Sequence, residues 1–443
     1  MSEQSELALL GGPKAVRSDP RDVFKWPIIT EEDEKAVLEV LRRGAMSSTD
    51  VTKEFETEFA TWQEREYALG FSTGTGALQA AMWACHVGVG DEIIAPSLTY
   101  WATCLPAFSL GATVVFAEVD PDTLCLDPSD IERRITDRTK AIVPVHYVGH
   151  PADMDPIMEI AGKHDVKVIE DVSHAHGGFY KGRKVGTFGH VAAMSLMSGK
   201  SFPIGEGGIL VTDDRSIHDR ALAWAHYGRY KADAVGDEWL KKFAGLPLGG
   251  YKYRMHQLSS AVARVQLKHY DERAAEIRKA MNHFWDLLEG VLGVKAHRTP
   301  PDSDSTMAGW YSASGLYVPE DLEGLSLTRF CEAVSAEGCP ASPGLNRPLH
   351  LHPLFNECDV YGHGKPTRIA NATRDVRQPR GSLPVTESLT KRTYKIPWFK
   401  KHYPEIIEEY ANAFKKVSAN YRELLADDPG DSENTGSWGL SSR

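Results

Sequence analysis

The stretch 166-VKVIEDVSHAHGGFYKGRKVGTFGHVAAMSLMSGKSFPIGEGGILVTDD-214 decides how the chain is read. It holds three short apolar runs, at 166–169, 191–196 and 209–211, each bounded by glycine or charge. Runs of this length with such borders read as buried strands. Glu170, Asp171 and His174 follow the first run, and Ser195, Ser198 and Lys200 close the second. The turn Gly205-Glu206-Gly207-Gly208 leads into the third. An acid, a histidine and a lysine therefore leave neighbouring strands at their C-terminal ends, where open α/β sheets place their ligands.

The residue types limit the chemistry. A lysine held beside hydroxyls at a strand end can form a Schiff base with a carbonyl. A nearby carboxylate can hold a protonated ring nitrogen. These are the two handles that pyridoxal 5'-phosphate needs, one for its aldehyde and one for its pyridinium. On residue type and position alone, Lys200 also reads as an ordinary solvated strand-end group.

The joint pattern narrows the choice. Glu170-Asp171-x-x-His174-x-x-Gly177, then Ser195-x-x-x-x-Lys200, then Gly205-Glu206-Gly207-Gly208, resembles the signature of the DegT/DnrJ/EryC1/StrS aminotransferases. Members of this family are fold-type I pyridoxal-phosphate enzymes acting on keto sugars and cyclitols. The similarity extends over residues 9–422. Thr73-Gly74-Thr75-Gly76 is similar to the family's S-G-T-x-A turn, and residues 97–103 to its S-x-T-aromatic-x-A-T segment. Residues 250–261 resemble G-Y-N-Y-R-M-x-x-x-x-A-A, with Lys252 in place of the asparagine.

The resemblance implies an α/β fold: a large domain with a mostly parallel seven-stranded sheet, and a smaller C-terminal α+β domain. It implies that Lys200 carries the cofactor as a Schiff base and moves the proton. Asp171 would hold the pyridinium nitrogen, and His174 the ring's 3-oxygen. Tyr100 would stack on the ring, with Gly74, Thr75 and Ser195 around the phosphate. Lys252 would reach the phosphate of a neighbouring subunit, so the active sites of a homodimer would be shared. The loop carrying His350 is similar to a small-domain loop near the substrate, which makes His350 a candidate substrate contact. His176 reads as structural, because Gly177-Gly178 turns the chain away.

Composition excludes other classes. The 443 residues are 42% hydrophobic and 25% charged, enough for a large core. A net charge of −11 without a basic patch argues against nucleic-acid binding. No run approaches the length of a membrane span. Residues 1–12 lack the basic and apolar regions of a secretory signal, so a cytoplasmic location is expected. The six cysteines show no paired spacing, and the 17 histidines lack cysteine partners at zinc-like intervals, so no metal is expected.

Along the rest of the chain, helical spacing marks 31–43 and 47–60. The turn at 72–76 opens a helix, and free N–H groups at a helix start suit an anion. Strands are expected at 93–95, 114–117, 140–147 and 309–318, and helices at 153–164, 256–292, 327–337 and 404–425. The expected division is an irregular segment at 1–30, a large domain at 31–270, a small domain at 271–425 and a disordered polar tail at 426–443.

These features together read as a ping-pong aminotransferase moving an amino group from glutamate or glutamine to a keto sugar or keto cyclitol. The rivals are a pyridoxal-phosphate or amino-sugar sensing protein without turnover, and a sugar dehydratase. Such dehydratases carry histidine in place of the lysine, and Lys200 is present. A nicotinamide dehydrogenase would need G-x-G-x-x-G between a strand and a helix, whereas the 205–208 turn precedes a strand.

Overall fold

Seven apolar runs pair into one sheet: Tyr67–Phe71 (β1), Glu92–Pro96 (β2), Thr113–Ala117 (β3), Thr139–Ile142 (β4), Lys167–Asp171 (β5), Val191–Ser195 (β6) and Gly208–Thr212 (β7). The structure is a computed structural model, and it describes residues 5–433 and 435–438. The strand order is β1-β7-β6-β5-β4-β2-β3. Only β7 runs antiparallel to its neighbours. Both faces of the sheet are covered, so its strands are near-continuously apolar instead of alternating. Val168, Ala192 and Val211 face one core cluster, and Ile169, Ala193 and Leu210 face the other.

Helices fill the connections. Glu31–Arg42 (α1) opens with a capping box between Thr30 and Asp33. Asp50–Gln63 (α2) buries Val51, Phe55 and Phe59 along one face, at the i, i+4, i+8 spacing of its sequence. Gly74–Ala84 (α3) lies between β1 and β2, Met154–His164 (α4) precedes β5, and Arg215–Ala225 (α5) follows β7. The long Gln257–Leu287 (α6) carries the chain away from the large sheet, and position 270 lies within it.

Beyond α6, Val294–Ala296 (β8), Ser314–Tyr317 (β9), Ser342–Pro343 (β10) and Thr393–Lys395 (β11) form an antiparallel sheet in the order β8-β9-β11-β10. Leu327–Ala336 (α7) and Pro404–Ala419 (α8) pack with it around Trp285, Phe330, Tyr394 and Phe414. Leu7 and Val23, from the N-terminal segment, belong to this same core.

Several elements are shorter than their sequence patterns. The strand expected over 309–318 begins only at Ser314, because Ala308, Trp310 and Ser312 have positive φ and break the extended path. In the run at 140–147 the regular strand ends at Ile142; Val145 keeps a single parallel bridge to Asp171 before the chain enters a single turn, Tyr147–Gly149. Of the polar stretch from 426 onward, part lies outside the described residues. Within the described part, the Asp428 carboxylate accepts from Ser326 N at 2.7 Å and that of Asp431 from Thr328 N at 2.9 Å.

Glu170 ties β5 to the 186–189 turn. Its carboxylate is fully buried and accepts from the backbone N–H groups of Gly186, Phe188 and Gly189 at 2.8, 2.8 and 2.6 Å. His146 Nε2 lies 3.0 Å away. Burial alone would raise its pKa, but His146 and the backbone donors outweigh this and hold it below the usual carboxylate value. Replacing Glu170 with alanine strips partners from four buried donors. The expected result in chemical denaturation is a loss of about 3–5 kcal/mol. Because the folded pKa is depressed, the stabilisation is present above the ordinary carboxylate pKa. It should fade as pH falls through the folded value.

Candidate active site

Asp171 ends β5 on the opposite face from Glu170, as the pleat requires. It is 4% exposed. Thr103 Oγ1 donates to its Oδ2 at 2.8 Å, and Ser173 N to its Oδ1 at 3.1 Å. Thr103 comes from the turn after β2, and its hydroxyl lies 2.9 Å from that of Thr99. Two donors thus fix the plane of a carboxylate that remains open toward a cavity of about 250 Å³.

Lys200 lies in the loop after β6 and enters the same cavity. Its backbone is clamped: its N–H donates to Met197 O at 2.8 Å, and its carbonyl accepts from Trp26 Nε1 at 2.9 Å. The residue is 6% exposed. Burial pushes its ammonium down to about 7, with the charge of Asp171 resisting part of that fall. Its Nζ lies 4.0 Å from the centre of the Tyr311 ring. That ring also packs at 4.4 Å on His174. Tyr311 gets there because its neighbours on both sides, Trp310 and Ser312, are left-handed, and because Gly309 approaches Ser201 closely. A Cβ at Gly309 would stand 2.3 Å from that of Ser201.

His174 is neutral, since burial and the neighbouring Lys200 charge hold its pKa well below the ordinary imidazole value. Val148 N donates to its Nδ1 at 3.2 Å, which makes Nδ1 the acceptor and leaves Nε2–H as a donor. His176 has both ring nitrogens engaged, by Ser201 Oγ at 3.1 Å and the Ser195 carbonyl at 3.0 Å.

The far end of the cavity is an anion cradle. Thr73 caps α3, accepting from Gly76 N at 3.0 Å, so the first-turn N–H groups of Gly74 and Thr75 carry no intrahelical bond. Ser195 faces them so closely that a Cβ on Gly74 would lie 2.6 Å from the Ser195 Cβ.

Seven of the residues singled out in the sequence therefore share one cavity: Gly74, Thr75, Tyr100, Asp171, His174, Ser195 and Lys200. Two stand apart from it. Lys252 is exposed, 6.0 Å above the Tyr227 ring. His350 is fully buried, with Nδ1 at 2.7 Å from Ser97 Oγ and Nε2 at 3.0 Å from the Glu387 carboxylate. Its contacts hold the neighbouring loop, from which Leu345 and Asn346 do line the cavity.

Tyr311, Asn346, Lys395 and Ser437 also line it, and no motif marks them. Thr103 lies within the 97–103 motif, but its bond to Asp171 spans 68 residues.

The donor set suits one cofactor. An amine with a lowered pKa, a fixed carboxylate, an imidazole N–H donor and a helix N-terminus meet in one cavity, and these match the aldehyde, ring nitrogen, phenolic oxygen and phosphate of pyridoxal phosphate. Fold and site together define the fold-type I class of pyridoxal-phosphate transferases.

Residues 27–414 match the DegT/DnrJ/EryC1/StrS aminotransferase family, and the chain belongs to it. It is 31% identical to the L-glutamine:scyllo-inosose aminotransferase of Streptomyces griseus, over 95% of this chain and 99% of that one. It is 32% identical to the L-glutamine:2-deoxy-scyllo-inosose aminotransferase of Streptomyces kanamyceticus, over 96% and 99%. The structure of an aminotransferase from Psychrobacter cryohalolentis superposes with a TM-score of 0.78 at 30% identity, covering 90% of this chain and 99% of that one. Among the described residues, no helix is long and apolar enough to cross a membrane, and no group of acids, histidines and cysteines is arranged to hold a metal ion.

The cradle gives a direct prediction. A methyl group at position 74 has no room unless β6 shifts, so Gly74→Ala should weaken pyridoxal-phosphate binding by about tenfold or more in a fluorescence titration. Thermal stability should fall less than for Glu170→Ala.

Proposed function

We propose that the protein is a pyridoxal-phosphate aminotransferase that moves the amino group of L-glutamine, or glutamate, to the keto carbon of a cyclitol or sugar. The observation that carries this reading is the buried Lys200 amine, with its pKa near 7, sharing a cavity with the Asp171 carboxylate and the α3 cradle. The inosose aminotransferases to which the chain is similar support the donor and the ring-shaped acceptor.

Pyridoxal phosphate, when bound, supplies an aldehyde that takes and gives up amino groups and a ring that receives the electrons of a broken C–H bond. The chain's residues supply the rest. Gly74 N–H, Thr75 N–H and Ser195 would hold the phosphate. Asp171, kept in plane by Thr103 and Ser173, holds a proton on the ring nitrogen. His174 Nε2–H would donate to the phenolic oxygen, and Tyr100 would cover one ring face. Lys200 Nζ would be the nucleophile and the proton carrier: it would move a proton from the α-carbon of the amino donor to the cofactor's former aldehyde carbon, and in the second half-reaction from there to the carbon that receives the amino group.

The reading extends to a homodimer. Lys252 is exposed and outside its own cavity, which supports a role at the cofactor phosphate of a partner subunit. A lysine there acts as a point charge where asparagine would make directed hydrogen bonds.

The test is spectroscopic. Protein loaded with pyridoxal phosphate should be yellow, lose that colour on addition of glutamine, and regain it on addition of scyllo-inosose. Lys200→Ala should bind the cofactor without the lysine-linked visible band. A colourless wild-type protein at saturating cofactor would refute the assignment.

The same lysine sets a pH profile. Only the neutral amine attacks an aldehyde, so the rate at which apoprotein takes up the cofactor should be low below pH 7. It should rise through a midpoint near 7 and level off at higher pH, where an unperturbed lysine would still be climbing. A stopped-flow series across that range checks it.

A further inference from the structure

The cavity has two halves. The sheet side, with Asp171, Lys200 and the α3 cradle, is committed to the cofactor on the aminotransferase reading. The opposite side is lined by Tyr311, Ser312, Asn346, Lys395 and Ser437, and the substrate must occupy it. Ser437 lies past residue 414, where the family match ends.

The segment that carries Ser437 is docked by specific contacts. Ser437 N donates to the Leu345 carbonyl at 3.1 Å, and Arg347 N donates to the Ser437 carbonyl at 3.0 Å. These two bonds form a parallel bridge across Asn346. Gly436 permits the approach, since a Cβ there would lie 2.7 Å from the Leu345 carbonyl oxygen. The Trp438 ring meets His352 edge-on at 4.8 Å and carries the Arg347 guanidinium at 4.4 Å. Upstream, Asp428 and Asp431 are bonded to Ser326 and Thr328 at the start of α7. The loop being gripped is itself fixed, by Leu349 N to the Ser97 carbonyl at 2.9 Å and by His350.

We propose that residues 435–438 form the acceptor wall of the active site and, with Asn346, set its preference for a polyhydroxylated ring. The chemistry of the wall fits. Tyr147 OH donates to Asn346 Oδ1 at 2.7 Å, which leaves the Nδ2 end of the amide as a donor. A hydroxyl from Ser437 and an amide donor side by side match ring hydroxyls, each of which both gives and accepts a hydrogen bond. A site built of such groups discriminates strongly against analogues that lack them. The proposal rests on the aminotransferase reading, and its test separates the two.

Two variants are compared with the parent apoprotein by calorimetry: a truncation after Glu433, and full-length Trp438→Ala, which undocks the segment without shortening the chain. The probes are pyridoxamine phosphate, and the stable secondary amine joining its methylene carbon to scyllo-inosamine. The expected result is unchanged affinity for pyridoxamine phosphate in both variants and affinity for the adduct lowered about tenfold or more. If the truncation loses its cooperative melt, Trp438→Ala decides. Adduct affinity equal to the parent's, with cofactor binding intact, overturns the wall alone. So does a parent that binds the adduct no more tightly than pyridoxamine phosphate. A parent that binds neither probe overturns the cofactor reading and the wall together.

Discussion

Glu170 and Asp171 are consecutive acids on one buried strand, and the pleat sends them to opposite faces of the sheet. A buried carboxylate is tolerated only with partners. The structure meets that demand differently for each. Glu170 is saturated by three backbone N–H groups and His146, and it thereby draws the 186–189 turn against β5. That turn leads into β6, so the carboxylate sets where β6 begins and therefore where Ser195 and Lys200 end up. Asp171 receives two donors and keeps room for another. One strand position builds the scaffold and the next is left for chemistry.

The legibility of the chain divides along the same line. The sheet strands are legible because burial on both faces leaves unbroken apolar runs between glycines. Asp171, His174, Ser195 and Lys200 are legible because strand ends bring close sequence neighbours to one place. Tyr311 is not. An apolar run through 309–318 reads as a strand, and nothing local announces that three left-handed residues will turn it into a loop over Lys200. His350 looks like a substrate contact from its motif, yet its two nitrogens are consumed by Ser97 and Glu387, groups 253 and 37 residues away. The segment after 426 is polar and rich in glycine and serine, a composition without a core of its own. The docking of its described part depends on two aspartates, backbone pairing and one tryptophan, partners that composition does not register.

The N-terminal segment has a similar hidden role. Trp26 donates to the carbonyl of Lys200 and thereby holds the backbone from which the amine projects. Leu7 and Val23 anchor that segment in the core of the second sheet. The position of the central lysine is thus set in part from the N-terminal segment, which lies outside the 166–214 stretch that carries the lysine's motif.

An amine that is half neutral near pH 7 has a consequence outside turnover. Cells contain many small reactive carbonyl compounds, and an ordinary lysine is shielded from them by protonation. Lys200 lacks that shield. In the empty state it would be the residue most open to adventitious adducts and to acylating or carbamoylating reagents. Occupancy by the cofactor therefore doubles as chemical protection, and storage of the apoprotein would expose the one side chain that can least be spared.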